Sequence, residues 1–396
     1  MSKSFCFQFG PCTSSVAILE TIPQSPPELS GLLGHDFSPN AKLASPVLAV
    51  CDENTAPLAR KIFGATESSA KSFKLLTLPS GEKNKNWSSV EAILRAAREA
   101  GLGRDSLFTG IGGGVVCDCT AFAASIYMRG AKLALVPTTL LCMVDAAIGG
   151  KTGFNLDGIK NLTGTFYPAG NVVIAAELLA TLPQREWKSG IAELIKTAII
   201  DENPVFFDEL YQLTEKLRQQ QRDCNSAEEE FLPFIEKAVL TKGRIAEKDP
   251  EEKHEGGRAL LNLGHSFGHA LESALVPGTI SHGEAIAWGI AKSCELGTEL
   301  GITPSNRAEA IVEILGAWNF NISNDLLKKE RTTAGIFCEA LLSDKKKKAG
   351  KLRFIVPAER GVVLVEENEQ ITQFLEEIET GIHFHKTSHG DTEARS

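Results

Sequence analysis

The sequence predicts an α/β, Rossmann-like N-terminal domain followed by a mainly α-helical C-terminal domain. From residue 46 onward, short β-type runs alternate with helical segments, which is typical of a parallel sheet with helices on both faces. After Pro183 the helical periodicity continues, and few β-type runs remain. The predicted domains are therefore residues 1–182 and 183–382, with residues 383–396 as a polar, disordered tail.

Four apolar runs of the first domain predict strands, at Val47–Val50, Ser106–Thr109, Leu133–Val136 and Val172–Ala175. A helix is predicted from Ser88 to Ala100, because Ser88 and Glu91 have the spacing of a capping box and Gly101 can end the helix. Residues 21–46 are rich in Pro, Ser and Gly, and they predict a surface loop inserted after the first strand.

The second domain is predicted to be built mainly from helices. Apolar residues recur with helical spacing at residues 185–200, 228–247, 259–276, 282–301 and 306–317. Two later runs, Leu352–Val356 and Val362–Val365, predict strands.

Composition excludes several classes of protein. The content of 43% hydrophobic and 23% charged residues is ordinary for a globular protein. A net charge of −9 argues against general nucleic-acid binding. The apolar stretches are too short or too interrupted for a membrane span, and the N-terminus lacks the features of a secretory signal. Nine cysteines without paired spacing indicate reduced thiols in a cytoplasmic protein.

Three of the eight histidines lie between Arg258 and Glu284. His265 and His269 are four residues apart, so they share one face of a helix, and His282 follows on the next element. Imidazoles from two helices suit a divalent metal or a proton-transfer site. The alternative is a chance cluster of ordinary helix histidines.

Glu193 and Lys196 lie three residues apart on a predicted helix, where a routine salt bridge is the simplest interpretation. Together with the histidines, Glu193 becomes a candidate third metal ligand. Glu, His and His around an open fourth position is a pattern of catalytic zinc.

Two glycine-rich segments suit an anionic ligand. Gly112–Gly114 joins a predicted strand to a predicted helix, where backbone N–H groups can approach a phosphate, although a tight structural turn has the same pattern. Further on, Asp145 and Lys151 flank a Gly-Gly pair, with Lys160 and Asn161 behind them. Such groups suit an anionic, hydroxylated ligand, and a solvated surface loop is the alternative.

The ordered motifs resemble the 3-dehydroquinate synthase family of the sugar-phosphate cyclases, over residues 47–360. They are D-E-N at 52–54, S-G-E-K-N-K at 80–85, G-G-G-V-V-C-D at 112–118, Y-M-R-G at 127–130, P-T-T-L-L-C-M-V-D-A-A-I-G-G-K-T-G at 137–153, G-I-K-N-L at 158–162, A-E-L-I-K-T at 192–197, R-A-L-L-N-L-G-H-S-F-G-H-A-L-E at 258–272, H-G-E-A at 282–285 and S-D-K-K at 343–346.

This resemblance implies the site residues. The implied zinc or cobalt ligands are Glu193, His265 and His282. The implied NAD contacts are Asp52, Asn54, Glu82, Lys85, Gly113, Gly114, Val115, Asp118, Thr138, Thr139, Lys160 and Thr181. The implied substrate contacts are Asp145, Lys151, Lys242, Arg258 and Asn262, and the implied phosphate pocket is Asn161, Lys196, His269 and Lys345. Of these, the implied catalytic groups are Asp145, Lys151, Lys196 and His269.

The resemblance also implies a reaction and an assembly. Family members act on a small anionic sugar phosphate, 3-deoxy-D-arabino-heptulosonate 7-phosphate, with tightly held NAD and a divalent metal. NAD is reduced and reoxidised within one turnover, so the net redox change is zero. Arg129 matches an arginine that reaches the neighbouring subunit's site, which implies a homodimer.

The chain departs from the family before Arg258. Residues 249–258 are about two residues longer than the family segment, and His254 stands where the family has a glutamate four residues before the arginine. Glu255 lies three before it, so the counterpart of that glutamate stays unassigned.

Alternative functions remain open at this point. A retained Arg258 favours a substrate with a carboxylate, which amino-dehydroquinate synthases share and epi-valiolone synthases do not. Metal-dependent polyol dehydrogenases usually present an aspartate where Glu193 stands, and they lack the R-A-L-L-N motif. A non-catalytic paralogue is the third alternative.

Overall fold

A computed structural model of the protein describes residues 3–23, 26–35, 46–67, 73–254, 256–276, 278–328, 335–342 and 352–380. The chain divides into two compact units, Met1–Leu261 and Asn262–Ser396. The first contains a seven-stranded sheet and a hairpin, and the second contains another two-stranded hairpin. The domain boundary at residue 182 stays a prediction.

Parallel strands dominate the first unit. Its strands are β1 (Lys3–Phe9), β2 (Cys12–Leu19), β3 (Val47–Asp52), β4 (Phe73–Leu78), β5 (Leu107–Gly112), β6 (Lys132–Pro137), β7 (Lys151–Leu156), β8 (Ile159–Phe166) and β9 (Asn171–Ala175). The large sheet has the order β1-β2-β9-β6-β5-β3-β4, and its adjacent pairs are parallel except β1–β2. The predicted α/β class and its four strands are confirmed.

Helices complete the first unit, and several of them pack against this sheet. They are α1 (Pro26–Leu33), α2 (Ala56–Glu67), α3 (Trp87–Glu99), α4 (Gly114–Ile126), α5 (Gln184–Ile200), α6 (Pro204–Gln220) and α7 (Leu232–Lys248). Every residue from Val47 to Cys51 is buried, as expected for a parallel strand with helices above and below it. Hairpin β7–β8 forms a separate antiparallel pair.

Helix α1 corrects the prediction that residues 21–46 form a loop. Leu29 and Leu33 of this helix are buried in the core against the sheet, and that packing stabilises the helix. Prolines at the start of a helix are compatible with it, because the first turn needs no intrahelical N–H donors. Residues 36–45 lie outside the described part of the chain.

Helix α3 begins one residue earlier than predicted. Asn86 is the N-cap, and its side chain accepts a hydrogen bond from the backbone N–H of Ser89. The predicted capping box of Ser88 and Glu91 is therefore wrong. The predicted end is confirmed, since Gly101 follows the helix with a φ of 68°.

The second unit is mainly helical, as predicted. Its elements are α8 (His265–Ala274), α9 (His282–Glu299), α10 (Ser305–Ala317), α11 (Asp325–Lys328), α12 (residues 335–342 as far as described), β10 (Arg353–Pro357), β11 (Val362–Glu366) and α13 (Glu369–Thr380). Trp288, Phe267, Phe337 and Phe354 are buried together in its core. The predicted helix 259–276 begins later than expected, because Gly264 has a φ of 75° and α8 starts after it, at His265.

Within the described residues, no helix combines the length and the apolar character that a membrane crossing requires. Residues 383–396, predicted as a disordered tail, lie outside the described part.

Candidate active site

Predicted NAD residues follow three neighbouring strands of the large sheet. Asp52 ends β3, Gly113 follows β5 and Thr138 follows β6. These strands are parallel and adjacent, so their carboxyl ends meet at one edge, where α/β proteins bind ligands. The Oδ1 atom of Asp52 accepts the backbone N–H groups of Asn54 and Thr55 at 3.0 and 2.9 Å, which fixes the turn after β3.

The glycine-rich turn joins β5 to α4 without a bulky side chain. A Cβ on Gly112 would lie 2.8 Å from the side chain of Val116, so this position requires glycine. Gly113 caps α4 without a side-chain hydrogen bond. The N–H groups of the first turn, at Gly114 and Val115, therefore remain available to a phosphate group.

A buried lysine connects the glycine-rich helix to the β7–β8 hairpin. The Nζ atom of Lys85 donates to Oδ2 of Asp118 at 2.6 Å and to Oδ1 of Asn161 at 2.5 Å. Burial alone lowers the pKa of Lys85, but Asp118 outweighs burial and raises it. Asn161, predicted for the phosphate pocket, thus lies among predicted NAD residues. Glu82 is close by and accepts a hydrogen bond from Asn155.

Asp145 is the centre of a second cluster. It lies on a π-helical turn, Cys142–Ala146, a distortion frequent at functional sites. The Nζ atom of Lys242 donates to its backbone oxygen at 2.5 Å and to its Oδ1 at 2.6 Å. The Nζ atom of Lys196 is 3.7 Å from the same Oδ1 and 2.6 Å from Oε2 of Glu193.

Glu193 and Lys196 are both buried on α5. The salt bridge that their spacing predicted is therefore present, and its two charges are shielded from water. Their side chains are only 1% and 2% exposed.

Among the predicted substrate contacts in the first unit, Arg258 is the most deeply buried charged residue, with 1% exposure. Its Nη1 atom donates to the carbonyl oxygens of Gly149 and Pro250, both at 2.8 Å. Within the described residues, Nε and Nη2 have no hydrogen-bond acceptor. The guanidinium carbon lies 5.8 Å from the ring centre of Phe166. One edge of a buried guanidinium is thus left for an anion.

Lys151 begins β7 and forms an ion pair with Glu252. Glu252 has a left-handed φ of 53°. Sequence reasoning assigned Glu252 no role, because no local pattern links two residues so far apart in the chain. The structure pairs it with a predicted catalytic lysine and places it near Arg258, whose pKa is lowered by burial while the charge of Glu252 acts in the opposite direction.

The three histidines cluster within the second unit. The ring centres of His265 and His269 on α8 are 5.2 Å apart, and that of His282 on α9 lies 5.7 and 5.9 Å from them. The predicted shared face of His265 and His269 is therefore confirmed. Ser281 and Glu284 form a capping box that fixes the start of α9, and with it His282.

Two of these imidazoles are oriented by oxygen atoms. Nδ1 of His265 is 3.1 Å from the carbonyl oxygen of Leu263, which can only accept, so Nδ1 donates there and Nε2 is the ring nitrogen left for a ligand. Nδ1 of His282 is 3.5 Å from Oε2 of Glu272. Within the second unit, His269, Glu272 and His282 form a group that could hold a metal ion. Sequence reasoning missed Glu272.

The remaining predicted residues lie in several different segments of the chain. Thr139 uses its hydroxyl to accept the N–H of Cys142 at 3.2 Å, while Lys160 and Thr181 are exposed. Asn262 ends the short helical turn that Arg258 begins. Lys345 lies outside the described residues.

Arg129 lies in an exposed turn of unusual backbone. Met128 and Arg129 have φ values of 48° and 67°, followed by Gly130 at 120°. Non-glycine residues rarely adopt such angles, and they cluster at sites where a side chain must be placed in a fixed direction. Arg104 holds the turn by donating to the carbonyl oxygen of Met128 at 3.0 Å.

Solved structures share this fold. The 2-epi-5-epi-valiolone synthase from Streptomyces hygroscopicus, with NAD+ and Zn2+ bound, superposes with a TM-score of 0.74 at 24% identity over 93% of this chain and 96% of the other. A 2-deoxy-scyllo-inosose synthase, complexed with carbaglucose-6-phosphate, NAD+ and Co2+, gives 0.75 at 22% identity over 96% and 99%. The chain therefore shares the fold of these two synthases.

Comparison of the sequences identifies the family of this chain. The 3-dehydroquinate synthase N-terminal model matches residues 75–189, and the C-terminal model matches residues 190–347. A 3-dehydroquinate synthase from Prochlorococcus marinus is 36% identical over 330 residues, which cover 83% of this chain and 88% of that protein. The chain belongs to the 3-dehydroquinate synthase family.

Proposed function

We propose that this protein converts 3-deoxy-D-arabino-heptulosonate 7-phosphate to 3-dehydroquinate and inorganic phosphate. Arg258 carries the substrate assignment. Its Nε–Nη2 edge matches a carboxylate, which can accept both N–H groups in parallel. A substrate without a carboxylate would leave these buried donors unpaired, at a cost of about 1–3 kcal/mol.

The first unit has residues suited to NAD. The helix start at Gly113 and Gly114 offers N–H groups to the pyrophosphate, and polar side chains follow the adjacent strands. Asp118, which lies on the same helix, is held by Lys85. NAD, when bound, would supply reversible hydride transfer at a substrate hydroxyl.

Glu193, His265 and His282 would hold the divalent metal, as the family resemblance implies. A carboxylate and two imidazoles suit zinc or cobalt, and the orientation of His265 leaves its Nε2 available as a donor. The metal, when bound, would act as a Lewis acid on substrate hydroxyls. Glu272 would orient His282 through Nδ1, as outer carboxylates do in many metal sites.

The charged residues around Asp145 would orient the substrate and move protons. The Nζ atoms of Lys242 and Lys196 lie 2.6 and 3.7 Å from the same oxygen of Asp145, Oδ1. Lys151 carries an ammonium that Glu252 balances. Lys196 and His269 would bind the substrate phosphate, because an ammonium and an imidazole N–H can both donate to phosphate oxygens.

We further propose a cytoplasmic homodimer in the shikimate pathway. The nine cysteines are all free thiols, which suits a reducing compartment. Arg129 would reach the partner's site. Its turn includes Met128, which is 52% exposed. The β7–β8 hairpin also exposes the apolar side chains of Ile159 and Leu162. Exposed apolar groups on a polar surface favour association.

A phosphate-release assay tests this function. Purified protein with NAD and zinc should release phosphate from the heptulosonate phosphate without accumulating NADH, and a chelator should stop the release. Sedoheptulose 7-phosphate, which lacks the carboxylate, should be a poor substrate. Arg258→Ala should lower kcat/KM for the carboxylated substrate at least about tenfold.

Other outcomes would identify other activities. Accumulation of NADH from a polyol would indicate a dehydrogenase. Equal phosphate release from sedoheptulose 7-phosphate would indicate another cyclase. Preference for the amino analogue of the heptulosonate phosphate would indicate an amino-dehydroquinate synthase, and absence of all turnover would indicate a non-catalytic paralogue.

A further inference from the structure

The lengthened segment before Arg258 folds back on a single carboxylate. Asp249 ends α7, and its Oδ1 accepts the backbone N–H of Lys253 at 2.8 Å. Its Oδ2 accepts the backbone N–H of His254 at 3.3 Å and that of Arg258 at 3.2 Å. The carboxylate therefore joins the two ends of the segment that separates α7 from Arg258.

Asp249 is buried and closely packed. The residue is 2% exposed, and a Cβ on Gly257 would lie 2.7 Å from its Oδ2. Burial alone would raise the pKa of this carboxyl. The N–H groups of Lys253, Arg258 and His254 outweigh that effect and lower it, so the carboxylate is ionised at neutral pH.

The closed segment also determines which edge of the guanidinium is available. The Pro250 carbonyl oxygen, directly after Asp249, accepts from Nη1 of Arg258, as does that of Gly149. These two bonds use Nη1 and leave Nε and Nη2 for a ligand. The same segment carries Glu252, which pairs with Lys151.

We propose that Asp249 is a positioning residue, which closes this segment so that Arg258 presents its Nε–Nη2 edge to the substrate carboxylate. This inference rests on the proposed function. Asp249 makes no contact with the substrate itself, and it acts through the backbone of Arg258 and the carbonyl of Pro250. The two extra residues of this chain thus lie in a segment that supports substrate recognition.

The test compares Asp249→Asn with a matched control in the same segment. Glu251→Gln removes a carboxylate whose partner, Lys253, is 70% exposed, so it should leave the kinetics unchanged. Asp249→Asn keeps the size of the side chain but has a single oxygen acceptor. We expect its KM for the heptulosonate phosphate to rise about tenfold, with a smaller change in kcat, because a misplaced carboxylate contact weakens binding throughout the reaction.

A double-mutant cycle separates positioning from a general effect on the fold. In an Arg258→Ala background, Asp249→Asn should raise KM no further, because the group through which it acts is gone. If the two changes multiply, or if Asp249→Asn matches Glu251→Gln, the proposal is wrong. Should Asp249→Asn fail to fold, Gly257→Ala displaces the same carboxylate and is judged by the same criteria.

The activity of the wild-type protein distinguishes a failure of this inference from a failure of the proposed function. A wild type that releases no phosphate from the heptulosonate phosphate overturns the proposed function and this inference with it. An active wild type with unaltered KM in the Asp249 and Gly257 variants overturns this inference alone.

Discussion

Lys242 and Lys196 contact the same carboxylate, yet their surroundings move their pKa values in opposite directions. Burial lowers the pKa of Lys242 to about 8, with help from Lys196 and Arg258 and against Asp145. Burial also lowers that of Lys196, but Glu193 and Asp145 outweigh it and raise the pKa. Near neutral pH, Lys196 therefore stays charged, while Lys242 is close to the pH range in which it loses its charge.

The pH dependence of the reaction tests this difference. Lys242 is charged below its pKa, so kcat/KM should fall as the pH rises through about 8. In Lys242→Arg the guanidinium stays protonated, and the descending limb at this pH should disappear. A variant that keeps the same limb would show that another group titrates there.

At the scale of elements, the approach of α5 to the Asp145 turn depends on a glycine. A Cβ on Gly190 would lie 2.6 Å from Cγ of Leu140 and 2.7 Å from the backbone nitrogen of Leu141. Backbone cannot move aside as a flexible side chain can. Gly190 therefore permits the packing that brings Lys196 of α5 to Asp145.

We expect Gly190→Ala to displace α5, destabilise the fold by about 1–3 kcal/mol and lower kcat. Gly316→Ala is the matched control. Gly316 also lies in a helix, α10, but the position that its Cβ would occupy is open space. That change should be neutral or stabilising by up to about 1 kcal/mol. Urea unfolding and phosphate release measure the two effects. Equal stability of the two variants would contradict the close packing.

At the scale of the whole molecule, the site is proposed to need two chains. Arg129 projects from an exposed turn with a constrained backbone, while Arg258 is buried in its own chain. If Arg129 completes the partner's site, a monomer lacks one cation of the substrate pocket. Activity would then depend on association, because the missing charge comes only from a second copy.

Co-expression of two inactive variants tests this arrangement. Arg129→Ala and Arg258→Ala should each lose most activity alone. In a mixed dimer, one site has both arginines, so random pairing should restore about a quarter of wild-type activity. Light scattering should give twice the chain mass of 42.6 kDa. Mixed protein without activity would place Arg129 in its own chain's site or outside the site.

Local sequence patterns were enough to predict the class of fold and to name most candidate residues. Strand runs such as Val47–Val50 end at turn residues, and this alternation is a local property that needs no tertiary information. The ordered motifs indicated the family in the same way, because a motif is also a local property of the sequence. Local patterns could not show that residues 26–33 form a helix, because buried Leu29 and Leu33 stabilise it by contact with distant strands.

Which side chains contact each other became visible only in the folded chain. Lys242 contacts Asp145 across 97 residues of sequence, and Arg258 contacts Gly149 across 109. The roles of Asp249, Glu252 and Glu272 likewise became visible only with the fold. A side chain's partners and its pKa depend on how elements pack and on what they exclude from water, and neither follows from spacing along the chain.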